Sequence, residues 1–357
     1  MQSGSVRRPL LAFVVGLGAL LATPVVAAPR VVATIPAVHS LAANVMQGIG
    51  TPYLLVRGGA SPHSLALRPS DAKALSEAEV IFWIGEELET FLTGILRQGV
   101  GRAQVVSLLR APGVERLALR SGANWTAHDH DHDHDHGRDH EERHEADRAG
   151  AEQDADHDHD HDNDAHKAAG STAESGHASH DEAELDAHIW LNPGNAVAMV
   201  EAMAAALVAW DPANGAAYRR NAADTIARLQ ALTDELATTL APVRTRPYVV
   251  FHDAYQHFEH AFGTHAIGSV TLSPELRPGA KRLAELHRTL KEGGAVCIFA
   301  EPQFEPRLVR SVTEGTGVRI GTLDPVGASL APGPGAYFTL MRKLADDIAG
   351  CLSVATD

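Results

Sequence analysis

The sequence predicts an α/β fold made of two α/β lobes joined by one long rigid helix. Two observations carry this prediction. Short apolar runs rich in β-branched residues alternate with helical segments in both halves of the chain, which is the rhythm of parallel sheets covered by helices. Between the halves, residues 213–240 have a helical pattern rich in Ala, Leu and Arg without an interior proline. A continuous helix is a stiffer joint than a flexible peptide, so the swing of the lobes should be limited.

The first half of the chain contains four predicted strands and three predicted helices. The run 80–84 is unbroken and apolar, as expected of a parallel strand that is buried on both faces. Ser70 is available to cap the second helix. The strands are predicted at 30–35, 51–56, 80–84 and 105–107, and the helices at 39–49, 69–78 and 87–97.

The second half begins with two helices and then returns to the strand–helix rhythm. The first of these helices is entered through Asn192-Pro193-Gly194, a sequence typical of a capped helix start. Helices are predicted at 195–210, 213–240, from 254 onwards, at 278–292 and at 337–349, and strands at 248–251, 295–300 and 318–323.

The N-terminus has the pattern of a cleavable secretory signal. Arg7 and Arg8 precede an apolar stretch at 10–21, and small residues at 25–28 suit a peptidase that cuts after Ala27. The apolar stretch is shorter than the ~20 residues that a membrane span needs. No cysteine directly follows the leader, so no lipid anchor is expected, and no later segment is expected to be apolar enough to span a membrane. These features predict an exported, soluble protein.

A His/Asp-rich loop interrupts the first lobe. Thirteen of the 21 histidines lie between 128 and 180, many in strict alternation with aspartate. Such a segment has too few apolar residues to form a core, so we expect a disordered loop that attracts metal ions weakly. A charge run kept for solubility is the alternative, but aspartate alone would serve that purpose. The candidate weak metal ligands are His128, His130, His132, His134, His136, His157, His159 and His161.

The predicted organisation has six segments. These are a signal peptide at 1–28, an N-terminal α/β lobe at 29–120, the disordered loop at 121–187, the end of the N-terminal lobe at 188–212, a linking helix at 213–241 and a C-terminal α/β lobe at 242–357.

The charge of the chain is concentrated in this loop. Residues 128–186 have a balance of −17, against −15 for the whole chain, which leaves +2 for the remainder. The folded part is therefore close to neutral, and neither a nucleic-acid surface nor a polybasic membrane patch is indicated. No nucleic-acid partner is expected.

Three of the eight remaining histidines share one setting, just past a strand or at a tight turn. They are His63, His188 and His252. Ligands of parallel sheets bind beyond the carboxyl ends of the strands, so these side chains should meet in the cleft between the lobes. Three imidazoles at ~2.0–2.1 Å with an open or weak fourth position form a zinc site. The others are expected to be ordinary surface or hydrogen-bonding residues, with His39 the first exception to consider: His39, His257, His260, His265 and His287. His257 and His260 lie one helical turn apart, which fits a minor surface metal site or, equally well, a solvated helix face.

Four segments resemble those of a known family, the periplasmic zinc-binding proteins of ABC importers, or ZnuA type, within the metal-binding solute-binding proteins. The segments are SPHSLALRPSD at 61–71, DAHIWLNP at 186–193, FHDAY at 251–255 and GTLDP at 321–325, with FAEPQF at 299–304 as a further match. The resemblance covers nearly all of the mature chain and includes the spacing of the two cysteines.

The resemblance implies a periplasmic protein that captures Zn²⁺ between its lobes and delivers it to a membrane permease. It assigns His63, His188 and His252 as ligands, and it places Asp324 where manganese-binding relatives have a carboxylate ligand. Those relatives also have a carboxylate in place of His252, and an imidazole there shifts the preference towards Zn²⁺. Some zinc-binding members have a glutamate where this chain has Pro62. The fourth ligand is therefore open between water, Asp324 and a loop histidine, and we favour water or Asp324.

Cys297 and Cys351 are the only cysteines, and in an oxidising compartment they are expected to form a disulfide. Closure of the loop between them would stabilise the fold by about 4 kcal/mol in the chain-entropy model. Two unpaired buried thiols are the less expected alternative outside the cytosol.

An enzyme, a zinc store and a surface adhesin are the alternatives to import. Three histidines and a water also describe a catalytic zinc site, but no second catalytic motif accompanies them, so no enzyme activity is expected. A periplasmic zinc buffer or store that uses the His-rich loop is the main alternative. A surface adhesin would need an anchor, and none is visible. We expect a monomer without a small organic substrate.

Overall fold

The computed structural model describes residues 28–121, 125, 184–271, 275 and 278–353. The predicted signal peptide, apart from Ala28, lies outside the described residues. So do residues 126–183, which include every histidine of the predicted weak metal loop.

The first lobe is a four-stranded parallel sheet with helices packed against it. Its strands follow the order β2-β1-β3-β4. All three predicted helices and four predicted strands are present, with ends shifted by a few residues. The elements are β1 (Val31–Ala33), α1 (Pro36–Val45), β2 (Tyr53–Leu54), α2 (Pro69–Glu77), β3 (Val80–Trp83), α3 (Thr90–Gln98) and β4 (Gln104–Ser107).

The helix α2 begins two residues earlier than a Ser70 cap would place it. Pro69 is the first helical residue, and Ser70 is therefore inside the first turn. The helix start is instead fixed by Asp71, whose carboxylate accepts a hydrogen bond from the Arg68 backbone N–H at 3.0 Å. The predicted Ser70 cap is wrong, because the proline preceding it takes the first helical position.

Two helices lead from the first lobe to the second. These are α4 (Pro193–Trp210) and α5 (Gly215–Leu240). The Asn192 side chain caps α4 by accepting the Gly194 N–H at 2.8 Å. At ~1.5 Å per residue, α5 extends over about 39 Å, and it buries Tyr218, Leu229 and Leu236 along one face. This is the long helix that the sequence predicts between the two sheets.

Among the described residues, α4 is long and apolar enough to cross a membrane by length and composition. The expectation that no segment after the leader reaches this composition is therefore wrong. Ten of its residues are buried inside the protein, including Met199, Met203 and Leu207. Burial explains the composition, because a core helix meets the same criteria as a membrane span.

The second lobe repeats the architecture of the first, with strand order β6-β5-β7-β8 and parallel pairing throughout. The sequence prediction missed β6 and α8. The first has a glycine in its middle, Gly268, and the second has only eight residues, so both lack a clear pattern. The elements are β5 (Tyr248–His252), α6 (Gln256–Phe262), β6 (Ala266–Thr271), α7 (Ala280–Glu292), β7 (Cys297–Ala300), α8 (Pro306–Thr313), β8 (Arg319–Thr322) and α9 (Ala336–Ser353).

A shared core connects the two lobes. Trp190 is fully buried, and its indole N–H donates to the Pro325 carbonyl at 2.8 Å. The Tyr337 hydroxyl, also fully buried, donates to the Trp190 carbonyl at 2.8 Å. Residues more than 130 positions apart are thereby held together beside the cleft.

The predicted disulfide is confirmed. Cys297 and Cys351 are bonded, with their Cα atoms 6.3 Å apart. The bond connects β7 to α9, so the last helix is fixed to the sheet of the second lobe.

Candidate metal centre

The structure brings the three predicted cleft histidines together. His63 lies in the loop after β2, His188 directly precedes a short 3₁₀ helix at Ile189–Leu191, and His252 is the last residue of β5. Their ring centroids are 5.3–6.0 Å apart. One possible ligand atom from each lies within 4.8 Å of the other two, and no other such group occurs in the described part of the chain.

Two of these imidazoles are oriented by buried carboxylates. Asp186 Oδ1 lies 2.7 Å from His188 Nδ1, and Glu301 Oε1 lies 2.6 Å from His252 Nδ1. Both carboxylate side chains are only 1% exposed. Because a carboxylate accepts hydrogen bonds, each Nδ1 donates, which leaves the Nε2 lone pair of each neutral ring free for a metal.

The two free lone pairs point at a common space. His188 Nε2 and His252 Nε2 are 3.4 Å apart. In a tetrahedral site with Zn–N bonds of ~2.0–2.1 Å, two ligand nitrogens lie about 3.3–3.4 Å apart. Two acceptors at this distance without a proton between them repel each other, whereas a cation between them is attracted to both. The separation therefore suits a bound zinc ion.

His63 completes the group without a carboxylate partner. Its Nε2 is buried and has no hydrogen-bond partner. Burial, together with the charges that His188 and His252 can carry, lowers the pKa of His63 to about 2. This ring therefore stays neutral at any physiological pH. The Thr90 hydroxyl holds its loop by donating to the His63 carbonyl at 3.2 Å.

The carboxylates also change the protonation of their histidines. Burial alone would lower the pKa of His252, but the charge and hydrogen bond of Glu301 outweigh it and raise that pKa above its usual range. Burial would raise the pKa of Asp186, but the charge and hydrogen bond of His188 bring it below its ordinary value. Asp186 therefore stays ionised and continues to accept from His188.

The cavity around the three rings is small, at about 20 Å³, and its other exposed walls are largely apolar. Most pockets for organic ligands are larger, so the space suits an ion with a few waters. The Phe304 ring stacks on Phe251 and lies 6.4 Å from the His252 ring. The non-histidine lining residues are Ser61, Pro62, Glu301, Gln303, Phe304, Pro325 and Val326.

Asp324 is buried near this cavity, with one oxygen satisfied and one free. Its Oδ1 accepts from the Gln303 amide at 3.0 Å and from the Val326 and Gly327 backbone N–H groups. Its Oδ2 is buried without a hydrogen-bond partner. Asp324 is not within the 4.8 Å group of the three histidines.

The other histidines lie outside the cleft group. His39 is buried in α1, and its Nε2 lies 3.1 Å from the Pro52 carbonyl. His257 and His260 are not one solvated face of α6: His257 is fully buried with Nε2 3.2 Å from the Asp186 carbonyl, whereas His260 is exposed and lies 3.0 Å from Glu115. The surface interpretation of His257 is therefore wrong, because α6 packs against residues next to the site.

Sequence reasoning gave no role to Asp186 and Glu301, although both lie in segments that it singled out. For Asp186 a signal existed, since it precedes His188 by two residues, within reach of one ring. Glu301 is 49 positions from His252, so no local pattern could connect them.

Comparisons with known proteins identify a family for the chain. The family model described as the periplasmic component A of zinc-uptake complexes matches residues 31–351. The chain is 46% identical over 323 residues to the high-affinity zinc uptake system protein ZnuA of Brucella suis biovar 1 (strain 1330), covering 90% of this chain and 91% of that one.

Similarity extends to the ZnuA of Paracoccus denitrificans (strain Pd 1222), at 38% identity over 344 residues, covering 96% of this chain and 97% of that one. Among solved structures, the periplasmic zinc-binding protein TroA of Treponema pallidum matches with a TM-score of 0.68 at 20% identity, covering 91% of this chain and 99% of that chain. At that identity the match supports the fold.

Proposed function

The chain belongs to the ZnuA family of zinc-uptake components, and from that premise we propose that it captures Zn²⁺ in the periplasm and delivers it to the permease of a zinc ABC importer. One observation carries the proposal. The two carboxylate-oriented nitrogens, His188 Nε2 and His252 Nε2, are 3.4 Å apart beside a third neutral imidazole. This is the spacing that a tetrahedral zinc ion requires.

We assign His63, His188 and His252 as the zinc ligands. Each would bind through a neutral nitrogen, and the set of three imidazoles favours Zn²⁺ over Mn²⁺, which prefers oxygen ligands. Asp324 or a water held by its free Oδ2 would complete the coordination.

The same residues would make the site tight and reversible. Asp186 and Glu301 fix the rings before the metal arrives, so little rotamer entropy is lost on binding. The apolar walls limit water access and strengthen the attraction between the ion and the buried carboxylates. Protonation of His252 opposes binding, so acid would assist release.

The test is a zinc titration of the mature protein against a competing chelator. Alanine at His63, His188 or His252 should each weaken the tight site strongly, because loss of one of three strong ligands also removes the geometry. Alanine at His287, whose Nδ1 lies 3.0 Å from the Val312 carbonyl outside the cleft, is the matched control and should change the affinity little. Unchanged affinity in all three cleft variants would refute the assignment.

The remaining features of the proposal combine the family with the sequence pattern. As the solute-binding component, the chain would act as a monomer that docks on a membrane permease, without an enzymatic role. The leader at 1–28 would direct it to the periplasm and be removed, and without a cysteine after the cleavage site no lipid would be attached. The predicted division of the chain into lobes at 29–120 with 188–212 and at 242–357, linked by 213–241, is part of the same proposal.

The His/Asp-rich loop would collect zinc with lower affinity and pass it to the cleft. At its base the Leu119 N–H donates to the Glu184 carbonyl, two residues before Asp186, which orients a cleft ligand. A buffer or store would need a stoichiometry dominated by the loop, and the buried, pre-oriented cleft group instead favours delivery of a single ion.

A further inference from the structure

The base of the His/Asp-rich loop is a short two-stranded ribbon. The Leu119 N–H donates to the Glu184 carbonyl at 2.8 Å, and the Asp186 N–H donates to the Leu117 carbonyl at 2.9 Å. Ala118 and Leu185 form the antiparallel bridge between them. Because Asp186 also orients His188, the position of this ribbon determines the position of one cleft imidazole.

Arg120 extends from the end of the ribbon to the second lobe. Its Nε lies 3.0 Å and 3.1 Å from the two carboxylate oxygens of Asp253, and its Nη2 donates to Asp253 as well. Its Nη1 and Nη2 donate to Glu259 at 2.9 Å and 3.2 Å. The guanidinium also lies over the Trp125 ring, 3.6 Å from its centroid. We call Arg120, Asp253 and Glu259 the Arg120 triad.

The triad is adjacent to a cleft imidazole on its other side. Asp253 directly follows His252 at the end of β5, and Glu259 lies in α6 and also accepts the Ala266 N–H at the start of β6. The three side chains are 16%, 5% and 8% exposed. A fork of five donors is thus shared between two buried carboxylates, an arrangement that an ammonium group cannot reproduce.

We propose that Arg120 is a positioning residue for the metal site, which fixes the distance between His188 and His252 by tying the ribbon to the end of β5. The proposal rests on the function proposed above, in which these histidines are zinc ligands. A second contact supports it, because His257 Nε2 in α6 lies 3.2 Å from the Asp186 carbonyl. The second lobe therefore holds the ribbon at two points, one on each side of the loop.

The expected consequence is kinetic. If His188 and His252 are already held at the separation that the ion requires, the protein loses little conformational entropy when the ion binds. Affinity gained in this way appears mainly as a slower dissociation rate. Removal of the guanidinium fork would let the ribbon and β5 move relative to each other. All three imidazoles would still be present, but the ion would leave faster.

The experiment compares zinc release from four full-length proteins: wild type, Arg120→Lys, Glu259→Gln and Arg228→Met. Arg120→Lys keeps the charge and loses the fork, whereas Glu259→Gln loosens the triad without changing Arg120 or any proposed ligand. Arg228→Met is the matched control. The Arg228 guanidinium also lies over an aromatic ring, 4.0 Å from the Phe338 centroid, and donates to Asn44 Oδ1 at 2.7 Å in another part of the protein.

Zinc release into excess chelator is measured by stopped flow, and the absorption spectrum of the cobalt-loaded protein reports the ligand geometry in the folded state. Both triad variants should release zinc roughly tenfold faster or more and shift the cobalt spectrum, as expected when a residue supporting a metal ligand is lost. Arg228→Met should lower the melting temperature and leave release and spectrum unchanged.

Release within twofold of wild type in both triad variants would overturn the inference, as would an equal acceleration in Arg228→Met. These outcomes leave the proposed function intact, since the wild type would still hold one zinc ion tightly. A wild-type protein without a tight zinc site would instead overturn the proposed function, and this inference with it.

Discussion

The three cleft imidazoles are not equivalent at the level of single residues. His188 and His252 are each held by a carboxylate, whereas His63 has none and lies on a loop that turns through Gly58 and Gly59 with φ of 64° and 81°. A positive φ at two successive positions is readily adopted only by glycine. We expect the His188–His252 pair to be preformed and His63 to be the ligand whose position depends most on its loop.

Glu301→Gln should weaken zinc binding at the cleft. The amide keeps the size of the side chain but removes its charge, so His252 becomes a weaker metal ligand. Zinc affinity at pH 8, measured by chelator competition, should fall by about 10–100-fold, the usual cost of losing a carboxylate behind a ligand histidine. The control is Glu235→Gln, which removes an exposed carboxylate that pairs with Arg342 far from the cleft. An equal loss in both variants would contradict the role of Glu301.

The same variant should change the pH dependence of zinc affinity. In the wild type Glu301 raises the pKa of His252, so a proton competes with zinc already above pH 6.5, and affinity falls as the pH decreases through that pKa. Without the Glu301 charge, burial lowers the pKa of His252, and the decrease in affinity should move to lower pH. Superimposable pH profiles for wild type and Glu301→Gln would exclude this explanation.

At the scale of elements, the site depends on where strands end. His252 closes β5 and Glu301 directly follows β7, its neighbour in the sheet, so parallel pairing alone brings the ligand and its partner to the same edge. The three histidines could be predicted because each follows a local pattern of strand or turn. Among the residues that support them, Asp186 had a local signal in its spacing from His188, whereas Glu301 and Arg120 had none, since they meet their partners only through tertiary packing.

The disulfide should stabilise the folded protein measurably. Cys297→Ser combined with Cys351→Ser should lower the free energy of unfolding of the zinc-free protein by up to about 4 kcal/mol, because the unfolded chain loses a cross-link that spans 54 positions. Urea denaturation followed by circular dichroism measures it. Reductant should destabilise the wild type and have no effect on the double variant. A midpoint that is unchanged by the substitutions would show that the cross-link does not stabilise the fold.

For the whole molecule, the shared core argues against a wide opening of the cleft. The Trp190 indole N–H donates a hydrogen bond to the Pro325 carbonyl, and the Trp190 carbonyl accepts one from the Tyr337 hydroxyl. The Tyr337 backbone N–H donates to Ser40 Oγ in α1 at 3.0 Å. A large rotation of one lobe would break these hydrogen bonds, at a net cost of about 0.5–1.5 kcal/mol for each, and would expose the buried Trp190 and Tyr337 rings to water. Zinc capture should therefore proceed by local movement around His63 rather than by separation of the lobes.

The His/Asp-rich loop can be removed without disturbing its base. Residues 119 and 184 are joined by a backbone hydrogen bond of 2.8 Å, so the loop leaves and re-enters the fold at one point. Deletion of residues 128–180, which keeps Arg120 and Trp125, should therefore spare the ribbon and all three cleft histidines. Zinc titration should lose the additional weak sites and retain one tight site of unchanged affinity.

A loop of full length with its thirteen histidines replaced by glutamine is the matched control, because it keeps the acidic charge and removes the imidazoles. It should lose the weak sites as the deletion does, whereas a loop that acts through charge alone would keep them. If the deletion and the glutamine variant both lost the tight site, one cleft ligand would have to come from the loop. The fourth coordination position would then belong to a loop histidine and not to Asp324 or water.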